Sequence, residues 1–449
     1  MKHLFSRLSP AQKIILSFLL VIFCGSLLLS LPWVQTASSQ AGYLDHLFTA
    51  VSMVCVTGLF TRSVVDTYNV WGQLLCMLLI QIGGLGILTF IGFFTMESRK
   101  KLSLKDRRIL RDSFSYGHNR TLGQFVRSIF ITTFTIEGLG ALLLMIRFIP
   151  KFGLRKGIFN SIFLAVSAFC NAGFDNFGND SLLGLQTDVL VNITLALLII
   201  TGGLGFMVWF DLATKLGGKQ KGLHFHTKVV LLLTAGLLVI GTVASLWTEY
   251  NNPGTIGNLS FGDKLLVSFF QTVSMRTAGF ASIDYTAARP VTLFIYLLQM
   301  FLGGAPGGTA GGLKITTFLV LLLFARKEIL GLPHTNMGRR TLAPQLVQKA
   351  FGVTVIFQLT FLLGLLALGL VTDSSHRFIY LIFETVSALA TVGVTANITT
   401  SLNTAGMIVI MLLMFIGRVG PLTLMVSLNH YQPKKAATLH YSKADIMIG

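Results

Sequence analysis

Four short apolar runs in this chain carry one pattern, Phe-x-x-Val-Ser followed at a near-constant distance by glycine. The copies are Phe48/Val51/Ser52 with Gly58, Phe163/Val166/Ser167 with Gly173, Phe270/Val273/Ser274 with Gly279, and Phe383/Val386/Ser387 with Gly393. The third is one residue shorter between serine and glycine. The serines recur roughly every 110 residues, a period far longer than that of a solenoid repeat. Each run is too short to cross a bilayer, yet long apolar stretches flank it, among them Ile14–Leu31, Leu74–Met96, Phe125–Ile149, Val189–Phe210, Val229–Leu246, Val353–Val371 and Met407–Leu428. The unit is therefore expected to be a span, a re-entrant short helix, an extended loop and a second span. Loop backbone at membrane depth survives only where protein buries it or where it lines a watery cavity. Four such loops can share one axis.

Composition agrees with membrane residence. Only 12% of residues are charged and mean hydropathy is +0.73, whereas a soluble protein carries about 25% charged residues. The formal net charge of +18 does not point to nucleic acid, because the basic residues bunch between spans. They are Arg99, Lys100, Lys101, Lys105, Arg107, Arg108 and Arg111, then Lys215, Lys219 and Lys221, then Arg326, Lys327, Arg339 and Arg340, with Lys434, Lys435 and Lys443 in the tail. Positive residues in short loops mark the cytoplasmic side, which places both termini there, in a multi-pass cell-membrane protein. The intervening loops hold Asp45, Asp66, Asp175, Asp180, Asp188, Asp263 and Asp284 and are expected outside. Lys151, Arg155 and Lys156 run against this rule. The apolar run from Ile14 is long and lacks a small-residue cleavage site, so it is expected to stay as the first span. Cys24, Cys55, Cys76 and Cys170 form no C-x-x-C pair and read as small buried residues.

The loops end in Val56-Thr57-Gly58, Asn171-Ala172-Gly173, Thr277-Ala278-Gly279 and Thr391-Val392-Gly393. None contains a carboxylate. Such backbone can offer rings of carbonyl oxygens that replace the hydration shell of a cation, and glycine tolerates the φ values that turn carbonyls inward. The short helices end at the loops, with their C-terminal partial negative charge toward the ion.

The segments V-T-G-L, C-N-A-G-F, R-T-A-G-F and T-V-G-V-T resemble the four filter segments of the Trk/Ktr/HKT superfamily of potassium transporters, in their span, helix, loop and span context. The motif G-G-L-G after the first two loops and G-R-V-G-P after the fourth match as well, and the resemblance covers nearly the whole chain. It is closest to the KtrB-type (KtrB/KtrD) membrane subunit of bacterial Ktr systems. It implies an all-α integral membrane fold with a fourfold pseudo-symmetric repeat and eight spans: residues 1–110, 111–222, 223–340 and 341–449. It further implies potassium uptake in a channel-like manner, a homodimer with one pore per subunit, and a cytoplasmic ring of nucleotide-binding regulatory subunits of the KtrA/KtrC kind. Sodium is common as an activating ion among such systems. Glycine at all four filter positions goes with potassium preference. Each copy has one glycine where tetrameric potassium channels have two, so looser selectivity is expected. A carrier-type symporter of sodium and potassium using the same filter is the competing mechanism.

The third repeat holds Gly303-Gly304-Ala305-Pro306-Gly307-Gly308-Thr309-Ala310-Gly311-Gly312 between short apolar runs. Paired glycines and a proline break a helix. A phosphate loop fails, since Leu313 separates Gly312 from Lys314 and the flanks are apolar spans. The segment reads as an intramembrane gate below the filter, as in the family, or as a bent helix packed on its neighbours. Arg418 replaces the second glycine of the G-G-L-G pattern. It is expected either to face the pore as a barrier to cations or to pair with a buried acid. Arg276 reads as structural, with Glu384 as its candidate partner. Glu137, Asp211 and Lys314 are expected to snorkel at span ends, and His224 and His226 to be loop residues rather than metal ligands. No G-x-S-x-G, H-E-x-x-H or paired intramembrane carboxylates point to an enzyme.

Overall fold

The computed structural model describes residues 10–86, 122–178, 181–218, 220, 222–372 and 377–420. The basic run Arg99–Arg111, Lys219, Lys221 and the basic tail lie outside these residues, as does the first repeat boundary. Among the described residues, fourteen helices of three turns or more carry the architecture. In the first repeat these are α1 (Pro10–Leu29), α2 (Tyr43–Cys55) and α3 (Val70–Leu85). The second has α4 (Leu122–Phe152), α5 (Leu154–Phe169), α6 (Val189–Gly203) and α7 (Phe206–Leu216). The third has α8 (Phe225–Glu249), α9 (Phe261–Ser274), α10 (Pro290–Phe301) and α11 (Ile315–Ile329). The fourth has α12 (Pro344–Val371), α13 (Phe378–Leu389) and α14 (Thr404–Val419). A two-residue hairpin, β1 (Asn336–Met337) with β2 (Arg340–Thr341), is the only sheet among the described residues.

Among the described residues, the long helices α1, α4, α8 and α12 are the four that are long and apolar enough to cross a bilayer, with the bent pair α6–α7 as a fifth candidate. Their outer faces are apolar and exposed: Phe134 and Leu142 on α4, Leu232 and Val239 on α8, Leu363 and Leu370 on α12. Such continuous apolar exposure fits a lipid-facing surface. The core is built instead from the short helices α2, α5, α9 and α13. Phe and Ser four residues apart, with Val between, share one helix face, and all twelve such residues are buried. Each short helix packs on the second span of its own repeat or its first span, and also on the second span of the preceding repeat: α14 on α2, α3 on α5, α6 on α9 and α10 on α13. The first of these, from repeat four to repeat one, closes a ring.

The second spans differ from expectation. The stretch Val189–Phe210 is not one span: α6 and α7 meet at 97°. The cause is Gly205, at φ +88°, a left-handed conformation that ends α6. Gly86 (φ +82°) and Gly420 (φ +91°) end α3 and α14 in the same way. A positive-φ glycine at the end of the second-span helix is thus shared by repeats one, two and four, and in the third repeat the longer Gly303–Gly312 insertion takes its place. Before each of these glycines, the first glycine of the motif lets the second span touch the end of its own short helix. A Cβ on Gly83 would lie 2.3 Å from the Val54 carbonyl oxygen, on Gly202 1.9 Å from that of Phe169, and on Gly417 2.0 Å from that of Leu389.

Gly202→Ala is accordingly expected to destabilise the protein by about 1–3 kcal/mol through overpacking. Gly236→Ala on the exposed face of α8, where a methyl group meets nothing within 4 Å, should be neutral or stabilising by up to about 1 kcal/mol. Thermal unfolding of the two variants in detergent, followed by the temperature of aggregation onset, checks this pair.

Candidate functional site

The four loops converge. A Cβ built on Gly58 would lie 2.7 Å from the carbonyl oxygen of Ala172 and 3.1 Å from the Cα of Gly173. One on Gly173 would lie 2.8 Å from the Ala278 oxygen, one on Gly279 2.4 Å from the Val392 oxygen, and one on Gly393 1.9 Å from the Thr57 oxygen. The contacts run from repeat one to two, three, four and back to one. The carbonyls of Thr57, Ala172, Ala278 and Val392 therefore each stand against the glycine of a neighbouring loop. All four glycines have positive φ, +104°, +70°, +83° and +95° in chain order. So do the residues two positions earlier, Val56 (56°), Asn171 (57°), Thr277 (70°) and Thr391 (52°). Left-handed backbone at valine and threonine is strained and persists only where surroundings over-determine it. Its occurrence at the same position in all four loops shows that their backbones are quasi-equivalent.

The repeated serine explains how the loops are held. At the residue after that strained position, a backbone N–H donates 2.8 Å to the serine carbonyl in every copy: Thr57 to Ser52, Ala172 to Ser167, Ala278 to Ser274 and Val392 to Ser387. The serine hydroxyl makes a second tie. Ser52 Oγ accepts from Gly58 N (3.2 Å), Ser167 Oγ from Phe174 N (3.0 Å) and Ser387 Oγ from Gly393 N (3.1 Å). In the shorter third copy Ser274 Oγ donates instead to the Phe280 oxygen (2.6 Å). The repeat was visible in sequence, whereas this tethering role was not.

Residues 302–314 form a loop pressed against the same site, and not a bent helix. Leu302 and Leu313 bridge its neck. Inside it, Thr309 Oγ1 donates to the Phe169 oxygen (3.0 Å), Gly311 N donates to Thr277 Oγ1 (3.1 Å), and Ala305 N and Thr309 N donate to Gly203 and Gly202. A Cβ on Gly311 would lie 1.9 Å from Thr391 Oγ1. The loop thus touches Thr277 and Thr391, the first residues of the third and fourth loops, and the end of the second short helix. Arg418 ties it to repeat one: Nη1 donates to the Thr309 oxygen (2.5 Å), and Nη2 to the carbonyls of Gly83 and Gly84. No acid pairs with it among the described residues. Lys314 does not snorkel; its Nζ donates to the Ala310 oxygen inside the loop (2.7 Å).

Other expected pairings change. Glu384 does not meet Arg276. Its carboxylate accepts from Thr395 (2.6 Å) and Thr399, which fasten the segment after the fourth loop. Glu137 is buried in mid-α4 and accepts from Gln81 Nε2 (3.0 Å). Asp211 is buried and accepts from His224 N (2.9 Å) and its Nδ1 (2.5 Å), so His224 belongs to a hydrogen-bonded turn. Among the described residues no group of His, Cys, Asp and Glu could hold a metal ion. Cys55, Cys76 and Cys170 are buried and Cys24 is exposed, all as free thiols.

The TrkH cation transport protein model matches residues 7–438. The chain belongs to the TrkH family. It is 38% identical to the Ktr system potassium uptake protein B of Bacillus subtilis, over 99% of this chain and 97% of that one. It is 39% identical to the potassium/sodium uptake protein NtpJ of Enterococcus hirae, over 100% of this chain and 99% of that one. These matches make it a KtrB-type membrane subunit of the Trk/Ktr superfamily, a group of transporters and not of enzymes. The potassium transporter TrkH of Vibrio parahaemolyticus has the same fold, with a TM-score of 0.72 over 93% of this chain and 84% of that chain, at 17% identity.

Alanine at the ring glycines is expected to impair cation uptake in the order Gly393 > Gly279 > Gly58 > Gly173, following the approach distances of 1.9, 2.4, 2.7 and 2.8 Å. Initial rates of rubidium uptake into cells, normalised to protein in the membrane, test the ranking; equal rates for Gly393→Ala and Gly173→Ala would contradict it.

Proposed function

We propose that this protein is the potassium-conducting membrane subunit of a potassium uptake system. The observation that carries this reading is the cyclic closure of four quasi-equivalent loops, with Gly58, Gly173, Gly279 and Gly393 packed against the carbonyls of their neighbours. Potassium crosses in single file, its hydration shell replaced by carbonyl oxygens. The ring has no carboxylate, so selection rests on the spacing of backbone dipoles and on helix C-termini aimed at the ion. The hydroxyls of Thr57 and Thr391 are buried without a partner, which leaves their oxygens available to a passing cation. The names of the similar proteins support potassium as cargo, with sodium as a second or activating ion.

The loop Gly303–Gly312 is the gate. It packs on the starts of the third and fourth loops, and three repeats hold it through Thr309, Gly311 and Arg418. Arg418 both latches the loop and places a positive charge on the ion path. A cytoplasmic nucleotide-binding ring would open this latch by moving the halves of the bent spans, and the protein would work as a homodimer with both termini in the cytoplasm. The exposed Lys151, Arg155 and Lys156 face the opposite side in this arrangement.

Complementation of a potassium-uptake-deficient strain tests the filter. Gly58→Ser and Gly393→Ser are both expected to lose potassium selectivity or uptake, and wild-type growth at low potassium in both would remove the proposal. Single-protein conductance in a patched bilayer separates the channel-like mechanism from a symporter, whose turnover would fall below resolvable current. Shortening Gly303–Gly312 is expected to raise flux and weaken regulation by the partner; unchanged flux with intact regulation would sink the gate.

A further inference from the structure

The third loop has a charge with nothing to balance it. Arg276, the residue before Thr277, is 8% exposed, and its Nε–H has no hydrogen-bond partner. No carboxylate lies within ion-pair distance among the described residues, since Glu384 is held by Thr395 and Thr399. The guanidinium lines a cavity of about 280 Å³ between α8, α9 and α10. A second orphan lines it too: both the oxygen and the nitrogen of the Gln299 amide are buried and unpaired. Gly241 admits that amide, since a Cβ there would lie 3.0 Å from Gln299 Nε2 and 2.4 Å from Thr272 Cγ2. The other walls are aliphatic, and two of them, Ile240 at 68% exposure and Leu298 at 53%, also belong to the lipid-facing surface. The cavity is therefore a pocket opening sideways from the bilayer, polar only at its inner end.

An unpaired guanidinium among apolar groups costs several kcal/mol or more, and within a membrane it marks a partner site. The donor set wants an oxyanion: a guanidinium fork offers two parallel N–H groups to a carboxylate, and an amide can add a third. Water alone would find few polar partners on these walls. The mouth selects an acyl chain. From their places along α9 and α10, Arg276 and Gln299 lie on the order of 15–20 Å from the membrane end where those helices begin. At that depth a phosphodiester must enter charged, whereas a carboxylic acid can enter neutral and pass its proton to water at the Thr277 end of the pocket as its carboxylate pairs with the guanidinium. We infer that the pocket between α8, α9 and α10 binds one long-chain carboxylate, with its head on Arg276 and Gln299 and its chain leaving past Ile240 and Leu298. The occupant cancels the positive charge that adjoins Thr277 in the ring.

The test uses the full chain in phosphatidylcholine nanodiscs and measures retained radiolabelled oleate, with oleyl alcohol and dioleoylphosphatidylglycerol as competitors. One oleate per chain is expected, displaced by neither competitor. Arg276→Gln should weaken retention at least tenfold and Gln299→Leu severalfold, while Arg289→Gln on the exposed start of α10 should retain it fully. Ala244→Phe, which fills the pocket and leaves Arg276 in place, should abolish retention; it keeps the test decisive if Arg276→Gln does not elute as a monodisperse species. Equal retention by Arg276→Gln and wild type, or displacement by the phospholipid, would overturn the inference. So would loss of the dimer in Ala244→Phe with no oleate bound by wild type, which would place a second copy of this chain at the pocket.

Discussion

Everything in this fold answers to the demand that backbone N–H and C=O groups at membrane depth find partners. Four irregular loops sit in the middle of the bundle, and each creates that demand. The chain meets it locally by tying each loop back to the last turn of the helix before it, through the serine carbonyl and the serine hydroxyl. It meets the rest globally by closing the loops on one another, so that a glycine faces a neighbour's carbonyl at each seam. The donors are thus consumed by the scaffold. The carbonyls that remain are the groups a dehydrated cation needs.

The same demand shapes the second spans. Each must pass the end of its own short helix closely enough to cover it, which requires Gly83, Gly202 and Gly417. The helices α3, α6 and α14 then end at or beside a glycine of positive φ. The carbonyls of Gly202 and Gly203 anchor the inserted loop of the third repeat, and those of Gly83 and Gly84 anchor Arg418. Arg418 stands where two other repeats have glycine. Its reach across the axis, to Thr309 on one side and Gly83 on the other, is what a fourfold arrangement with one odd member can provide. Replacement of a small residue by a long donor at one of four equivalent positions ties the inserted loop of the third repeat to the first repeat.

Sequence reading and structure part company over long-range polar partners. Glu384 and Arg276 are complementary charges near consecutive loops, and pairing them was reasonable from position alone. The carboxylate instead finds two threonines eleven and fifteen residues downstream, because the short helix aims it at its own returning chain. The guanidinium instead lines the pocket between α8, α9 and α10. Glu137, Asp211 and Lys314 looked like interfacial side chains because helix ends were judged by hydropathy. Each is instead engaged inside the bundle, with Gln81, His224 and the Ala310 carbonyl.

The amino-acid sequence by itself determined the fourfold plan, the membrane setting and the identity of the four loops, because repeated Phe, Val, Ser and glycine at fixed spacing record a local geometry that each repeat must build alone. It also located the break in the third repeat, since paired glycines and proline forbid a helix in any context. Only the tertiary structure decided the order in which the loops close, the sharp bend between α6 and α7, the partners of Arg418 and Glu384, and the separation of Arg276 from any acid. Those depend on which carbonyl or hydroxyl from a distant repeat arrives within about 3 Å, and spacing along one chain carries no record of that.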